Sequence, residues 1–517
     1  MKMVKSLLLG SAAGLVAVAG AQAADLPVKA KPVEYVKVCS LYGAGFWYVP
    51  GTDTCLKIGS FVRVQTSYNN DSSDTPDGAG GGGSGAIAGR FTRTDTSQFG
   101  FRTRAGVSVD LRTQTEYGTL RSYMDVGAQW STGANQAADN QGTTADTLWV
   151  DRGFIQFAGF TAGRIRSYFD INSFAPYSYS NLRVQFDTGA LGIYGLAYTA
   201  QFGNGVTATL SFEDGGQSTG GRGRFTSNLN MAEFGLGSTS YDNKGQVFPD
   251  VVGALRIDQA WGYAQLSAAL HDASGGYYGT MPAGVVTGCG AGVVNCTTTG
   301  HPSDALGFAV AGGFTLNDVL GFKGDQFGME AAYTQGAVGY VTAGKGAWQH
   351  YSAGNNAGFG WITDGVYSGI AGTGTATNVE LTTAFTINGF YQHLWNPRWR
   401  TSLYGGYTEI DYNANAKAQI CGPGAGGAVL APAGFVGFAG VSNCNPDFSF
   451  WQVGSRTQWN PHPDLDVGVD VLWTHLNTAY KGTATLAASG ARPSGIYTID
   501  DQDILSVMFR IQRNFLP

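Results

Sequence analysis

The sequence predicts an all-β fold, a transmembrane barrel of sixteen antiparallel strands, and three observations carry that expectation. An export signal at the N-terminus is followed by strand-length segments in which every second residue is apolar, and the connections between those segments alternate between short and long. A water-soluble sandwich shows the same alternation, but it buries one face of each strand as a dry core. Here the face opposite the apolar one carries several arginines at a time, which suits a water-filled lumen and leaves the apolar face for the lipid of an outer membrane.

Lys2 and Lys5 precede an apolar stretch over 7–19, and Ala21-Gln22-Ala23 supplies an A-x-A cleavage site, so residues 1–23 read as a signal peptide and the mature chain starts at Ala24. That stretch is too short to span a bilayer and no later segment is apolar for long enough, so no helical span is expected. With 78 Gly, 25 Tyr, 29 Phe and only 13% charged residues, the chain is built of strand and turn formers. Its length would ordinarily divide into several domains, yet no linker or change of composition interrupts it. We expect an N-terminal segment over 24–56 and a single barrel over 57–517. A net charge of −6 gives no basic footprint for nucleic acid.

The first strand is expected over 57–68 and the sixteenth over 504–515. The second, over 98–113, sets Phe99, Phe101, Ala105, Val107, Val109 and Leu111 against Arg102, Arg104, Ser108, Asp110 and Arg112. The third, over 117–130, sets Leu120, Met124, Val126, Ala128 and Trp130 against Thr119, Arg121, Tyr123, Asp125 and Gln129. The fifteenth, over 464–475, sets Leu465, Val467, Val469, Val471 and Trp473 against Asp466, Gly468 and Asp470. Short connections at 114–116, 202–205, 258–260 and 461–463 hold Gly, Asn, Asp and Pro; long ones occupy 69–97, 215–248, 273–303, 342–378, 413–447 and 476–502. Outer-membrane barrels show this asymmetry between periplasmic turns and external loops. Trp130, Trp261, Trp399, Trp459 and Trp473 fall near strand ends, as interfacial girdles require.

Six cysteines in an exported chain invite pairing. Local closure joins Cys39 with Cys55, Cys289 with Cys296 and Cys421 with Cys444, because cross-pairing would require loops separated around the rim to meet. No C-x-x-C or histidine cluster supports a metal. Nor is there an H-E-x-x-H, a G-x-S-x-G elbow or a P-loop, so no catalytic residue, metal or cofactor is expected. Asp464, Asp466 and Asp470 have the spacing of a polar strand face, and Gly80 to Gly85 lie between strands with no helix to follow.

The segments Val33 to Cys39 and Tyr42 to Ile58, with two cysteines, an aromatic run and Val49-Pro50-Gly51-Thr52-Asp53, resemble the N-terminal signature of alphaproteobacterial porins, the major outer-membrane porins of Brucella and rhizobia. Asp151 to Phe157 and Phe160 to Asp170 resemble the strands that lead into the pore-constricting third loop of general porins. The resemblance implies a homotrimeric channel in the outer membrane of a Gram-negative bacterium, passing small hydrophilic solutes and ions by passive diffusion. The chain departs from the family at its end, where Leu516 and Pro517 follow Phe515 in place of a terminal aromatic.

The residue pattern supplies a mechanism. Arg63, Arg102, Arg104, Arg121 and Arg152 lie near mid-strand on polar faces and, with Arg164, form a basic wall at the constriction. Residues 166–189 read as a loop that folds inward, carrying Asp170 and Asp187 as its acidic side. Facing charges of opposite sign set up a transverse field that orients dipolar solutes. The plainer reading makes the arginines solvated wall residues and the two aspartates local turn caps. A surface barrel that displays disulfide-closed loops to a partner is the competing function.

Overall fold

The computed structural model describes residues 38–68, 99–131, 144–180, 182, 184–189, 192–215, 222–229, 242–278, 300–342, 346–352, 355–368, 376–421, 435–486 and 494–515. The export signal, Cys289, Cys296, Gly80 to Gly85, Leu516 and Pro517 lie outside the described residues. Alternating residues form the expected strands: β1 (Thr54–Tyr68), β2 (Phe99–Thr115), β3 (Gly118–Ser131), β4 (Thr144–Phe157), β5 (Phe160–Ile165), β6 (Ile193–Gly203), β7 (Val206–Glu213) and β8 (Asp250–Gln259). They continue as β9 (Gly262–Asp272), β10 (Leu306–Asn317), β11 (Gln326–Gln335), β12 (Thr383–Asn396), β13 (Trp399–Asp411), β14 (Phe448–His462), β15 (Leu465–Asn477) and β16 (Gln502–Phe515). Each pairs antiparallel with the next, and β16 returns to β1 in the register Arg63↔Gln512 and Gln65↔Arg510, which closes the sheet.

The wall is apolar outside and polar inside, as the pleat of a two-residue period demands. On β2, Phe101 is 57% exposed while its neighbour Arg102 is 7% exposed. Trp130 stands outward at one end of the wall, and Trp399 and Trp459 stack at 5.7 Å at the other. The buried apolar core sits inside the barrel: Phe169 and Phe186 of the connection between β5 and β6 pack with Phe225, Tyr340, Trp361 and Tyr497 from later connections and with wall residues such as Phe390 and Leu472. Short sheets tie these connections together; Gly365–Tyr367 runs parallel to Thr226–Asn228, and Asn356–Ile362 parallel to Gly495–Ile499.

Two of the three expected disulfides, Cys39 with Cys55 and Cys421 with Cys444, are present. Cys55 lies within β1, one residue beyond the strand start, and not ahead of the barrel. The reason is an edge left open where β16 ends opposite Ser60: Trp47–Tyr48 pairs with Leu56 and Cys55 there. Phe46 then packs against the inward face, 4.9 Å from the Arg112 guanidinium carbon and 5.8 Å from Lys57 Nζ.

Candidate functional site

The strand registers build the inner wall in rungs. One runs Arg510, Gln65, Arg102, Ser131; the next runs Gln512, Arg63, Arg104, Gln129. Arg63, Arg102 and Arg104 thus come together on neighbouring rungs, with Arg510 from the last strand beside them. Arg63 Nε donates to Gln512 Oε1 at 2.7 Å, Arg102 donates to Gln129, and Arg104 lies 3.7 Å from Asp151.

Residues 166–192, between β5 and β6, cross the lumen. Tyr168 and Asp170 accept hydrogen bonds from Gln265 of β9 at 3.0 and 3.1 Å, and the Asn172 N–H donates to Glu330 of β11 at 2.8 Å. The Tyr177 ring stacks on Phe390 of β12 at 3.6 Å. At the far side Asp470 of β15 collects the turn of the loop: its Oδ2 accepts from Ser178 Oγ at 3.0 Å and from the N–H groups of Tyr179 and Ser180 at 2.5 and 3.2 Å, while its Oδ1 accepts from the Tyr404 hydroxyl. Arg510 donates to the Tyr179 carbonyl at 3.0 Å, and its guanidinium and that of Arg456 lie 4.2 and 5.1 Å from the Tyr179 ring. The return path is held where Val184 accepts from Thr386 and Asn388 of β12 at 2.7 and 2.9 Å. The loop therefore fills the side of the lumen lined by β9–β15 and meets the rest at Arg510, beside the buried Gln65 and Arg102, while Arg104 one rung along keeps a partly exposed side chain.

With this geometry in place, residues 25–508 match the family described as the porin subfamily. The chain belongs to that porin family. It is similar to porin Omp2b of Brucella suis, with 33% identity over 265 residues that make up 50% of this chain and 64% of that protein. Omp2b of Brucella abortus matches equally, at 33% over 272 residues, 50% of this chain and 63% of that one. The match thus covers less than two thirds of the length of these relatives. Among solved structures, the outer membrane channel DcaP of Acinetobacter baumannii superposes with a TM-score of 0.51 over 90% of this chain and 99% of that one, at 12% identity, a likeness of fold. The closed barrel and the family place this porin in the outer membrane of a Gram-negative bacterium.

Four of the site residues sit elsewhere than expected in this porin. Arg121 pairs with Arg112, not Arg104, because the turn between Thr115 and Gly118 sets the register; it lies eight residues along β3 from Gln129, about 26 Å at roughly 3.3 Å per residue. There it joins Arg112 on the carboxylate of Asp110, at 2.9 and 2.8 Å, near the inner rim. Arg164 is on the outward row, since it pairs with Tyr194, a residue 53% exposed on the outer face, and its guanidinium donates to the Val150 carbonyl at 2.8 Å. Counting in twos from outward Phe160 along β5 would have placed it correctly. Arg152 is inward, but it clamps the two roots of the loop by donating to the carbonyls of Ile165 and Gly189.

Asp170 does not face the channel. Its side chain is fully buried, paired with Arg222 at 2.7 Å and Arg166 at 3.5 Å, and it accepts from the Thr188 N–H at 2.8 Å. Burial raises its carboxyl above the ordinary aspartate range, against the pull of the Arg222 guanidinium. Asp187 is buried likewise, accepting from the Gly189 N–H at 2.8 Å and lying 3.3 Å from Arg166. Both carboxylates hold the loop's shape. Sequence reasoning missed Arg222, the partner of Asp170, which lies against the rings of Phe169 and Tyr340 at 5.2 and 4.1 Å, and missed Asp470 as the anchor. No periodic signal marks Arg222, because it comes from a loop; Asp470 was visible only as one polar residue in an inward row.

Proposed function

We propose that this porin is a passive channel for small hydrophilic solutes and ions. The observation that carries the reading is the third loop, stretched across the lumen to Asp470 and Arg510 inside a closed barrel whose inner wall carries Arg63 and Arg104. A barrel built only to display loops has no use for an internal strut or a charged wall. The wall and the neutralised loop together favour anions over cations of equal size. The working unit is a homotrimer: Arg164 stands on an otherwise apolar outer face beside Leu148 and Val150, where bare lipid would leave a guanidinium in hydrocarbon and a second copy of the chain would cover it. No step of bond making or breaking belongs to this reading.

Planar-bilayer recording of the purified protein tests it. Stable ohmic steps arriving in threes are expected, with a reversal potential on the anion side in a salt gradient. A silent bilayer with folded protein overturns the proposal.

A further inference from the structure

One rung further in from Arg63 and Arg104, the register runs Phe61, Gly106, Gly127, Trp149. The two rings stand on strands separated by two others, about 14 Å apart at roughly 4.8 Å per strand, yet their centroids are 6.4 Å apart and their planes 20° from parallel. They meet by leaning over the two glycines. A Cβ at Gly106 would stand 2.5 Å from Phe61 Cε1 and 3.0 Å from Trp149 Cη2, and one at Gly127 would stand 2.2 Å from Trp149 Cζ2. Trp149 is half-buried, but its Nε1 is turned into the wall with no acceptor among the described residues, so what it offers to water is ring carbon. The Arg63 and Arg104 guanidinium carbons lie 5.2 Å from the Phe61 centroid and 4.8 Å from the Trp149 centroid. These arginines are direct cross-strand partners, Arg104 also lying 3.7 Å from Asp151, and together they set two guanidiniums side by side next to the rings.

We infer that this shelf is a binding station for a carboxylate carried on a six-membered ring with an apolar face, the carboxylate bridging Arg63 and Arg104 and the ring face resting on Phe61 and Trp149. A wall that only had to be wetted would need neither the paired rings nor the two glycines that admit them. A small inorganic anion would use the arginines and leave the apolar shelf bare. An aromatic acid and a pyranose acid share the required chemistry, one through its π face and the other through its axial C–H face.

The inference rests on the channel reading, and the test separates the two. Single-channel current through the reconstituted protein is recorded with benzoate, glucuronate or acetate on one side at equal concentration, and blocking is scored as dwell time. Acetate serves as the carboxylate without a ring. Resolved interruptions are expected with benzoate, glucuronate or both, and none with acetate; which ring acid blocks identifies the source. Trp149→Leu and Phe61→Leu should each shorten the dwell about fivefold, the size of a lost ring contact, and Arg63→Gln with Arg104→Gln should abolish it. If both ring acids pass as acetate does, or Trp149→Leu blocks like wild type, the station is wrong while the channel stands. Should the bilayer be silent, the channel reading fails, and calorimetric titration of the folded barrel with the same three acids decides the station alone: equal heats for all three overturn it.

Discussion

Asp470→Asn should free the tip of the third loop without unfolding the barrel. The carboxylate accepts four hydrogen bonds, three on Oδ2 and one on Oδ1 from Tyr404. An asparagine has one acceptor oxygen, so either orientation of its amide sets NH2 against a donor. With its carbonyl kept on the loop side, the bond from Tyr404 is lost and three charge-assisted bonds fall to neutral strength. At about 1.5–3 kcal/mol per bond to a charged group and about 0.5–1.5 kcal/mol per neutral one, the tip loses roughly 3–4.5 kcal/mol of anchoring, and the wall about 1.5–3 kcal/mol more at Tyr404. The strand ladders are untouched, and the Tyr177 stack on Phe390 with the bond from Arg510 to Tyr179 keeps the loop inside the lumen. The loss therefore appears as motion. Single-channel records should show greater open-state noise and a higher mean conductance, while resistance of the unboiled protein to gel denaturation stays at the wild-type level. Tyr404→Phe, which removes one of the four bonds, should give the same change at smaller amplitude. Wild-type noise and conductance in folded Asp470→Asn would refute the anchoring role.

Replacing Arg102 and Arg104 together with Ala should move the reversal potential toward cations at low salt, where the Debye length is about 30 Å at 0.01 M, and leave mainly a steric gain in conductance near 1 M, where it is about 3 Å; an unchanged low-salt potential would mean that these side chains do not face the ion path. Arg222→Ala removes the nearer of the two guanidiniums on Asp170 and leaves Arg166 at 3.5 Å, at a cost of up to about 3–5 kcal/mol, so hydrogen exchange over the described residues of 168–188 should accelerate while strand amides keep their protection; uniform protection would count against the pin. Arg164→Glu should shift the unboiled protein on gels from trimer to monomer, and a trimer of undiminished heat resistance would remove Arg164 from the interface.

The pleat is a local property, and what depends on it was legible in the amino-acid order. Alternation along β2, β3, β15 and β16 named the inward and outward residues, the turn-rich short connections fixed the strand partners, and a pair of cysteines close in the chain, such as Cys421 and Cys444, found each other. The same rule, applied strictly, places Arg164 outside. Register was harder, because a turn two residues long shifts every pairing beyond it, and so Arg121 went to Arg112 rather than to the basic rungs. The charges on the third loop were not legible. Asp170 meets Arg222 and Tyr179 meets Asp470 only after the barrel has closed and brought residues 52 and 291 positions apart together. A carboxylate reads alike in sequence whether it faces water or is sealed against a guanidinium. Closure of the sheet decides which, because it determines what lies across the lumen.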